Sequence, residues 1–471
     1  MKTACSIGVF SMMALFALAA CTMGPDYKRP DVADITPGHW HWRPASPGDT
    51  LPKGNWWKIF HDPVLDGLEN AAAAGNQDLS AAMARVEEAR AVARQSRSAF
   101  FPDISLDPSA NRQRTTGHLP TPIPITVPPA YINTYSVPFD LGYEADLWGR
   151  LRRSFEAAGA QAQASAADYQ NTLLTLTADV AADYFLIRSM DAGIDVLQET
   201  EKSRGESVRI LKDRFDAGAI PEMDLDRARS ELAGAKSDLA DETRQRALTA
   251  NALALLLGKP ASSFSLARSP APSSPPLVRA GLPSTLLERR PDVARAERLL
   301  AAANARIGVA RAAYFPDLRL TGQAGFLSSE AESLFSSDSR VWTIGLGVTL
   351  PIFNGGRISA EVAQARASYL EALANYRQTV LEAFKDVEDS LAEIVLLKQQ
   401  AAREDDALAS ARKVALLAQA RYDAGAVGYL DVVDAQRDVL DRERLRARLE
   451  GQRFAAGVRL IKALGGGWSA K

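Results

Sequence analysis

The chain has 471 residues, of which 46% are hydrophobic and 24% charged, and its 55 Lys and Arg against 57 Asp and Glu give a formal net charge of −2. That balance excludes a disordered chain and the basic footprint of a general nucleic-acid binder, and the length allows two or three domains. Two cysteines cannot staple a chain this long, and four histidines, at 39, 41, 61 and 118, leave the C-terminal three quarters without the commonest general base and metal ligand. No metal site, no cofactor and no enzyme chemistry are expected.

Lys2 precedes an apolar run from Ile7 to Ala20, about 14 residues and too short for a bilayer that needs roughly 20. It reads as the core of an export signal over 1–20. Leu18-Ala19-Ala20-Cys21 matches the bacterial lipobox, which makes Cys21 the lipidated first residue of the mature protein. The plainer alternative is a secretory peptide cleaved near Ala20. Cys5 leaves with the signal, so no disulfide is expected, and Thr22 in place of Asp gives no reason for retention at the inner membrane. An extended segment, 21–63, follows.

A helix is expected from Val64 to Ala99, then a weak strand from Ile104 to Arg112 and a Pro-rich loop from Thr115 to Ala130. From Tyr135 to Leu147 apolar residues alternate with polar or small ones, the period of a strand with one apolar face. The period then becomes helical over about 150–215, with Leu173, Val180, Ile187 and Ile194 in register. A turn over about 216–223 leads to a return helix, Leu225 to Leu257, and a Ser/Pro-rich linker, 259–283. A helix from Ser284 to Ala313 then leads to strands at Leu318–Phe326 and Trp342–Leu350. A long helix over about 357–423 follows, uninterrupted by Gly or Pro and about 100 Å long at 1.5 Å per residue. A turn at 424–430, a helix from Leu430 to Ala463 and a tail, 465–471, complete the chain.

The second half repeats the first. Arg214-Phe215-Asp216-Ala217-Gly218-Ala219 recurs as Arg421-Tyr422-Asp423-Ala424-Gly425-Ala426, with seven identities in fifteen positions at an offset of 207. Phe101-Pro102-Asp103 recurs as Phe315-Pro316-Asp317 and Gly149-Arg150 as Gly356-Arg357, so the seven extra residues of the first copy fall in its Pro-rich hairpin loop. The repeats are 64–258 and 284–464, each a hairpin at one end and a helical turn at the other. Four strands cannot close a barrel, and an open apolar sheet would leave unpaired backbone in lipid, so the chain must oligomerise. A dimer would supply eight strands, a trimer twelve and a tetramer sixteen.

Gly24-Pro25-Asp26-Tyr27, Trp56-Trp57, Asp62-Pro63, Leu287-Glu288-Arg289-Arg290-Pro291-Asp292-Val293 and Phe315-Pro316-Asp317 resemble the outer-membrane efflux lipoproteins of Gram-negative bacteria. This is the TolC/OprM family, nearest its NodT-type branch, and the resemblance covers essentially the whole mature chain. It implies a mainly α protein with a membrane β-barrel: a homotrimeric, twelve-stranded barrel continuing into a long periplasmic α-barrel, with an equatorial domain built from the linker and both termini. It also implies an outer-membrane location and two partners, a periplasmic adaptor (membrane fusion protein) and an inner-membrane transporter, commonly of the RND type. The covalent lipid on Cys21 would add an anchor in the membrane lipid.

The gate of such a duct should lie where the helices turn. The resemblance gives Leu430 and Asp434 as apolar and acidic constrictions and both Asp431 and Asp434 as a ring that draws in cations. Spacing alone favours a simpler role, with Asp431 a carboxylate in a helical first turn and Asp434 a solvated helix residue. Tyr422 matches a tyrosine that helps hold the turn closed, while Val427 stands where one relative has an arginine of the same network. In the first repeat Asp224 matches Asp431, but Arg227 replaces Asp434. Gly218, Asp224 and Gly425 match tips that meet the adaptor, and the glycines also suit plain helix C-capping. Phe101, Trp148, Phe315 and Phe353 mark the change from helix to strand, fitting either an interfacial aromatic belt or junction packing. Gly345-Leu346-Gly347 opens no helix and Gly258-Lys259-Pro260 lacks Walker spacing, so neither is a nucleotide loop. The competing functions are a type I protein-secretion duct of the same fold and a non-conducting envelope lipoprotein, the latter opposed by the amphipathic strands. The four mature methionines are scattered and give no sign of a copper-handling lumen, and the transported substrate is not legible.

Overall fold

A computed structural model describes residues 22–42, 54–116, 128–269, 274–278, 283 and 289–466. The signal over 1–20, Cys21, the hairpin loop over 117–127, Ser284 to Glu288 and the tail beyond 466 lie outside the described residues. Seven α-helices form among the described residues: α1 Pro63–Gly75, α2 Gln77–Ser98, α3 Arg150–Asp216, α4 Glu222–Leu256, α5 Pro291–Ala312, α6 Arg357–Asp423 and α7 Tyr429–Ala463. The long helices α3 and α6 have 67 residues each, and α4 and α7 have 35 each. Both pairs start and stop at the offset of the sequence repeat. No helix among the described residues is long and apolar enough to cross a membrane.

Three expected elements differ. The helix expected from Val64 to Ala99 breaks at Asn76, whose backbone is extended. Asn76 donates from Nδ2 to the Leu256 carbonyl (3.0 Å) and accepts from the Leu79 N–H (2.9 Å), so one side chain stops α1, starts α2 and ties both to the end of α4. The break brings Gly75 against Gly258: a Cβ on Gly258, whose φ is +67°, would stand 2.0 Å from the Gly75 carbonyl oxygen. The strand expected from Ile104 to Arg112 is two, β1 Asp103–Leu106 and β2 Ser109–Arg114, separated at Asp107-Pro108 because proline has no N–H for the ladder. The helix expected from Ser284 begins afresh at Pro291, with Arg290 outside it.

The chain divides into two compact units, and each draws segments from both repeats. The first (1–30, 87–164 and 297–375) contains the sheet. Its remaining strands are β3 Tyr131–Glu144, β4 Asp317–Ser328 and β5 Arg340–Thr349, all antiparallel; β1 and β2 both pair with β3, β3 pairs with β4, and β4 pairs with β5. Across the strands Leu106, Phe139, Ala324 and Trp342 stand in one row, and Ser105, Asp140, Gln323 and Thr343 in the next. The rows belong to opposite faces. The polar row is joined by a hydrogen bond from Gln323 Nε2 to Asp140 Oδ1 at 2.8 Å. On β5, Trp342, Ile344, Leu346 and Val348 are 62–75% exposed, an apolar face with no cover among the described residues. Among the described residues both β5 and the β1–β2 strand keep an open edge.

The second unit (31–86, 165–296 and 376–471) is helical. Asp62 caps α1 by accepting from the Val64 and Leu65 N–H groups, and it also accepts the Tyr184 hydroxyl of α3 at 2.5 Å. Trp56 donates from Nε1 to Thr177 (3.2 Å), with Phe60 edge-on beside it and Phe185 packed between Phe60 and a stacked Phe454. The Arg-Arg-Pro-Asp-Val segment is a clasp: Arg290 donates to Asp292, to Asp386 of α6 (3.0 Å) and to the Ala463 carbonyl at the end of α7 (3.2 Å). Glu69 of α1 is fully buried, and burial, then the neighbouring Asp66, push its carboxyl up to about 9.

Candidate functional site

The two helical turns share one backbone solution. Gly218 and Gly425 adopt φ of +70° and +72°, the left-handed conformation that costs glycine least. The Gly218 N–H donates to the Phe215 carbonyl and the Ala219 N–H to Arg214, while Gly425 donates to Tyr422 and Ala426 to Arg421, all at 2.8–2.9 Å. This is the paired capping of a Schellman motif. The expected capping role of both glycines is therefore present.

Packing then joins the turns. Leu211, Leu225, Ala228, Tyr429, Val432 and Val433 form a buried cluster, with Phe215 and Tyr422 packed against it. Tyr422 lies 5.6 Å from Tyr429, and the Arg214 guanidinium stands 5.8 Å from the Tyr422 ring centroid. Burial, then Tyr422, raise the Tyr429 hydroxyl above its ordinary value. Tyr422 thus holds the second turn to its neighbours by ring packing.

With Tyr429, Val432 and Val433 turned inward, Leu430, Asp431 and Asp434 occupy the opposite, exposed face of α7's first turns. Leu430 is 44% exposed. The three residues expected to form a constriction therefore project together, away from the protomer's own core. Their charges are handled unequally. Asp434 lies 3.6 Å from Arg437, which also pairs with Glu231 of α4, and Glu231 in turn meets the buried Arg204 of α3 at 3.1 Å. Asp431 forms no ion pair among the described residues and sits in the first turn of α7, where the helix dipole favours a carboxylate. In the first repeat Asp224 is taken by Arg227, 3.7 Å away.

The Arg204–Glu231–Arg437 chain is not legible in the sequence because its members lie on three helices and pair at no helical spacing; only the approach of Arg437 to Asp434 follows the i, i+3 rule.

The aromatic residues at the foot of the sheet divide into two kinds. Trp148 stacks on Phe315 at 4.7 Å and donates from Nε1 to the Pro316 carbonyl, which is junction packing. Phe101 and Phe353 are 63% and 93% exposed, as an interfacial residue would be. Beside them the segment from Met23 to Asp26 is strapped down: Met23 N–H donates to the Trp148 carbonyl, Asp26 pairs with Arg153 at 2.6 Å, and Asn304 donates to the Pro25 carbonyl. Cys21, the expected lipid site, lies outside the described residues, one position before Thr22, which is packed against Gly149.

A family model described as outer membrane efflux protein matches residues 68–259 and 282–466, one stretch in each repeat. The solvent efflux pump outer membrane protein SrpC of Pseudomonas putida is 35% identical over 467 residues, 97% of this chain and 98% of that protein. The solved outer-membrane channel OprN superposes with a TM-score of 0.88 at 29% identity, over 95% of this chain and 100% of that one. The CmeC outer membrane channel of Campylobacter jejuni gives 0.89 at 27% identity, over 95% and 96% of the two chains.

Proposed function

Because the chain belongs to the outer membrane efflux protein family, we propose that it closes as a homotrimer and that its second helical turn gates the duct. It is an outer-membrane efflux channel, the outer component of a pump that also needs a periplasmic adaptor and an inner-membrane transporter. An RND-type transporter is the proposed energy source; the duct itself is passive.

The observation that carries the closure is the sheet of the first unit, and the number three follows the family resemblance. It has an exposed apolar face and two open edges, and in lipid each unpaired backbone group costs several kcal/mol. Pairing β5 of one copy with β1–β2 of the next satisfies the edges, and cyclic symmetry closes the ring. Three copies bring three exposed Leu430, Asp431 and Asp434 side chains toward one axis. Leu430 would narrow the passage, and the converging carboxylates would repel one another and draw in cations. Asp431 carries most of this effect, since Arg437 already offsets Asp434. Gly218, Asp224 and Gly425 present the turns to the adaptor. A lipid on Cys21 would anchor the strap where Met23 is held at the foot of the sheet.

The test pairs single cysteines across the proposed seam, Thr343→Cys on β5 and Ser105→Cys on β1, in a Cys21→Ser background. Oxidation should yield a covalent ladder ending at the trimer. A ladder that stops at dimer, or a native mass of the protein in detergent other than three copies, contradicts the closure.

A further inference from the structure

A cavity of about 580 Å³ at the foot of the sheet, in the first compact unit, has no part in the gate. Met23, Gly24, Arg311, Tyr314, Phe315 and Arg366 line it. One wall is the N-terminal strap, set firmly in place: a Cβ on Gly24 would stand 2.5 Å from the Gly308 Cα, and Tyr27 donates to Glu297 at 2.6 Å. The wall is therefore formed by the chain's own contacts.

The charge of this cavity is unbalanced. Arg153 nearby is paired with Asp26 and Glu156, and Arg357 with Glu361. Among the described residues neither Arg311 nor Arg366 meets a carboxylate. Two guanidinium groups on one cavity with no counter-charge repel each other, and their planar forks match phosphate and carboxylate oxygens bidentately; beside a membrane the phosphate of a lipid headgroup is the anion at hand. The apolar surroundings are ordered to match. Leu350, Ile352 and Phe353 are exposed between β5 and α6, Ile352 by 90%, and the basic residues follow within the next turns of α6 and at the last turn of α5. Arg366 is nine residues into α6, about 14 Å along it. Its long side chain can snorkel back toward the interface.

We propose that this cavity binds the headgroup of phosphatidylglycerol from the periplasmic leaflet of the outer membrane. Arg311 and Arg366 grip the phosphodiester, Tyr314 and Phe315 cover the glycerol, and the acyl chains run against Ile352 and Phe353. The proposal rests on the sheet being the membrane-embedded part of the channel. The competing occupant, a diacylglyceryl group on Cys21, has no phosphate and would leave both arginines without a partner. Lipid A, the other phosphate source, belongs to the opposite leaflet.

Native mass spectrometry of the full mature protein in detergent tests it, with dioleoylphosphatidylglycerol, dioleoylglycerol and lipid A as probes. The wild-type protein should retain phosphatidylglycerol, up to one per chain. The double variant Arg311→Gln/Arg366→Gln should retain about tenfold less, while Arg357→Gln, a paired neighbour, should retain as much as wild type. Equal retention by the double variant, equal retention of dioleoylglycerol, or displacement by lipid A overturns the proposal. Planar-bilayer conductance of the same samples separates the two readings. A wild-type channel that conducts without retaining phosphatidylglycerol removes the lipid site alone, whereas a protein that neither trimerises nor conducts removes the membrane premise and the lipid site with it.

Discussion

The two helical turns have kept one backbone and lost one another's chemistry. Gly218 and Gly425 cap their helices with the same pair of hydrogen bonds. Yet the first turn closes its own charge, Asp224 on Arg227, while the second presents Leu430 and Asp431 on an exposed face with only Asp434 partly offset. The buried side chains differ as well, since the position of Tyr429 is held in the first repeat by the exposed Glu222. Duplication thus supplied a scaffold, and divergence confined the acidic, apolar rim to one of its two copies.

The largest stability effect separating the turns is expected at this unequal pair. Tyr429→Ala removes a buried ring from the cluster joining both turns and should cost ~3 kcal/mol or more, whereas Glu222→Ala should stay within about 0.5 kcal/mol. Chemical denaturation followed by circular dichroism reads both, and similar costs would break the asymmetry. Outside the turns, Glu69→Gln provides a titratable control. The Glu69 carboxyl titrates at about 9 when folded, against an ordinary value of 4.5, so the folded state binds the extra proton and its contribution to stability is lost as pH rises from about 4.5 toward 9. The variant should therefore gain on the order of a few kcal/mol at pH 8 and nothing below pH 4. A pH-independent difference in melting temperature would contradict the buried, protonated acid. Next come the caps: Gly218→Ala and Gly425→Ala should each cost ~1–2 kcal/mol, and equally, because the backbone is the shared part. A large difference between them would mean that the turns are not equivalent even in their scaffold.

Much of this is legible in the sequence. The repeat and the long helices are readable because their period persists over dozens of residues, the family resemblance rests on short motifs, and the ends of α3 and α6 fall within two residues of those expected. The breaks are not so easily read. Asn76 interrupts a helix because of Leu256, 180 positions later, and no local pattern contains that partner. Pro108 is different, since a proline within a strand is itself the signal for the split into β1 and β2. Arg290 is recognisable as part of a motif, but its clasp on Asp386 and the Ala463 carbonyl requires the fold. At the proposed gate, Leu430, Asp431 and Asp434 share a face by helical spacing alone. The approach of Arg437 to Asp434 follows from i, i+3 spacing as well, whereas the Glu231 and Arg204 pairs that hold Arg437 depend on how α3, α4 and α7 pack.

Single-channel conductance in planar bilayers tests the central claim most directly, comparing wild type with Asp431→Asn/Asp434→Asn and with Asp224→Asn/Arg227→Gln. Neutralising the second turn should raise conductance several-fold and abolish block by divalent cations, while the first-turn variant should match wild type in both. Unchanged conductance and cation block in the second-turn variant, or an equal change in the first-turn one, would contradict a gate at the second turn.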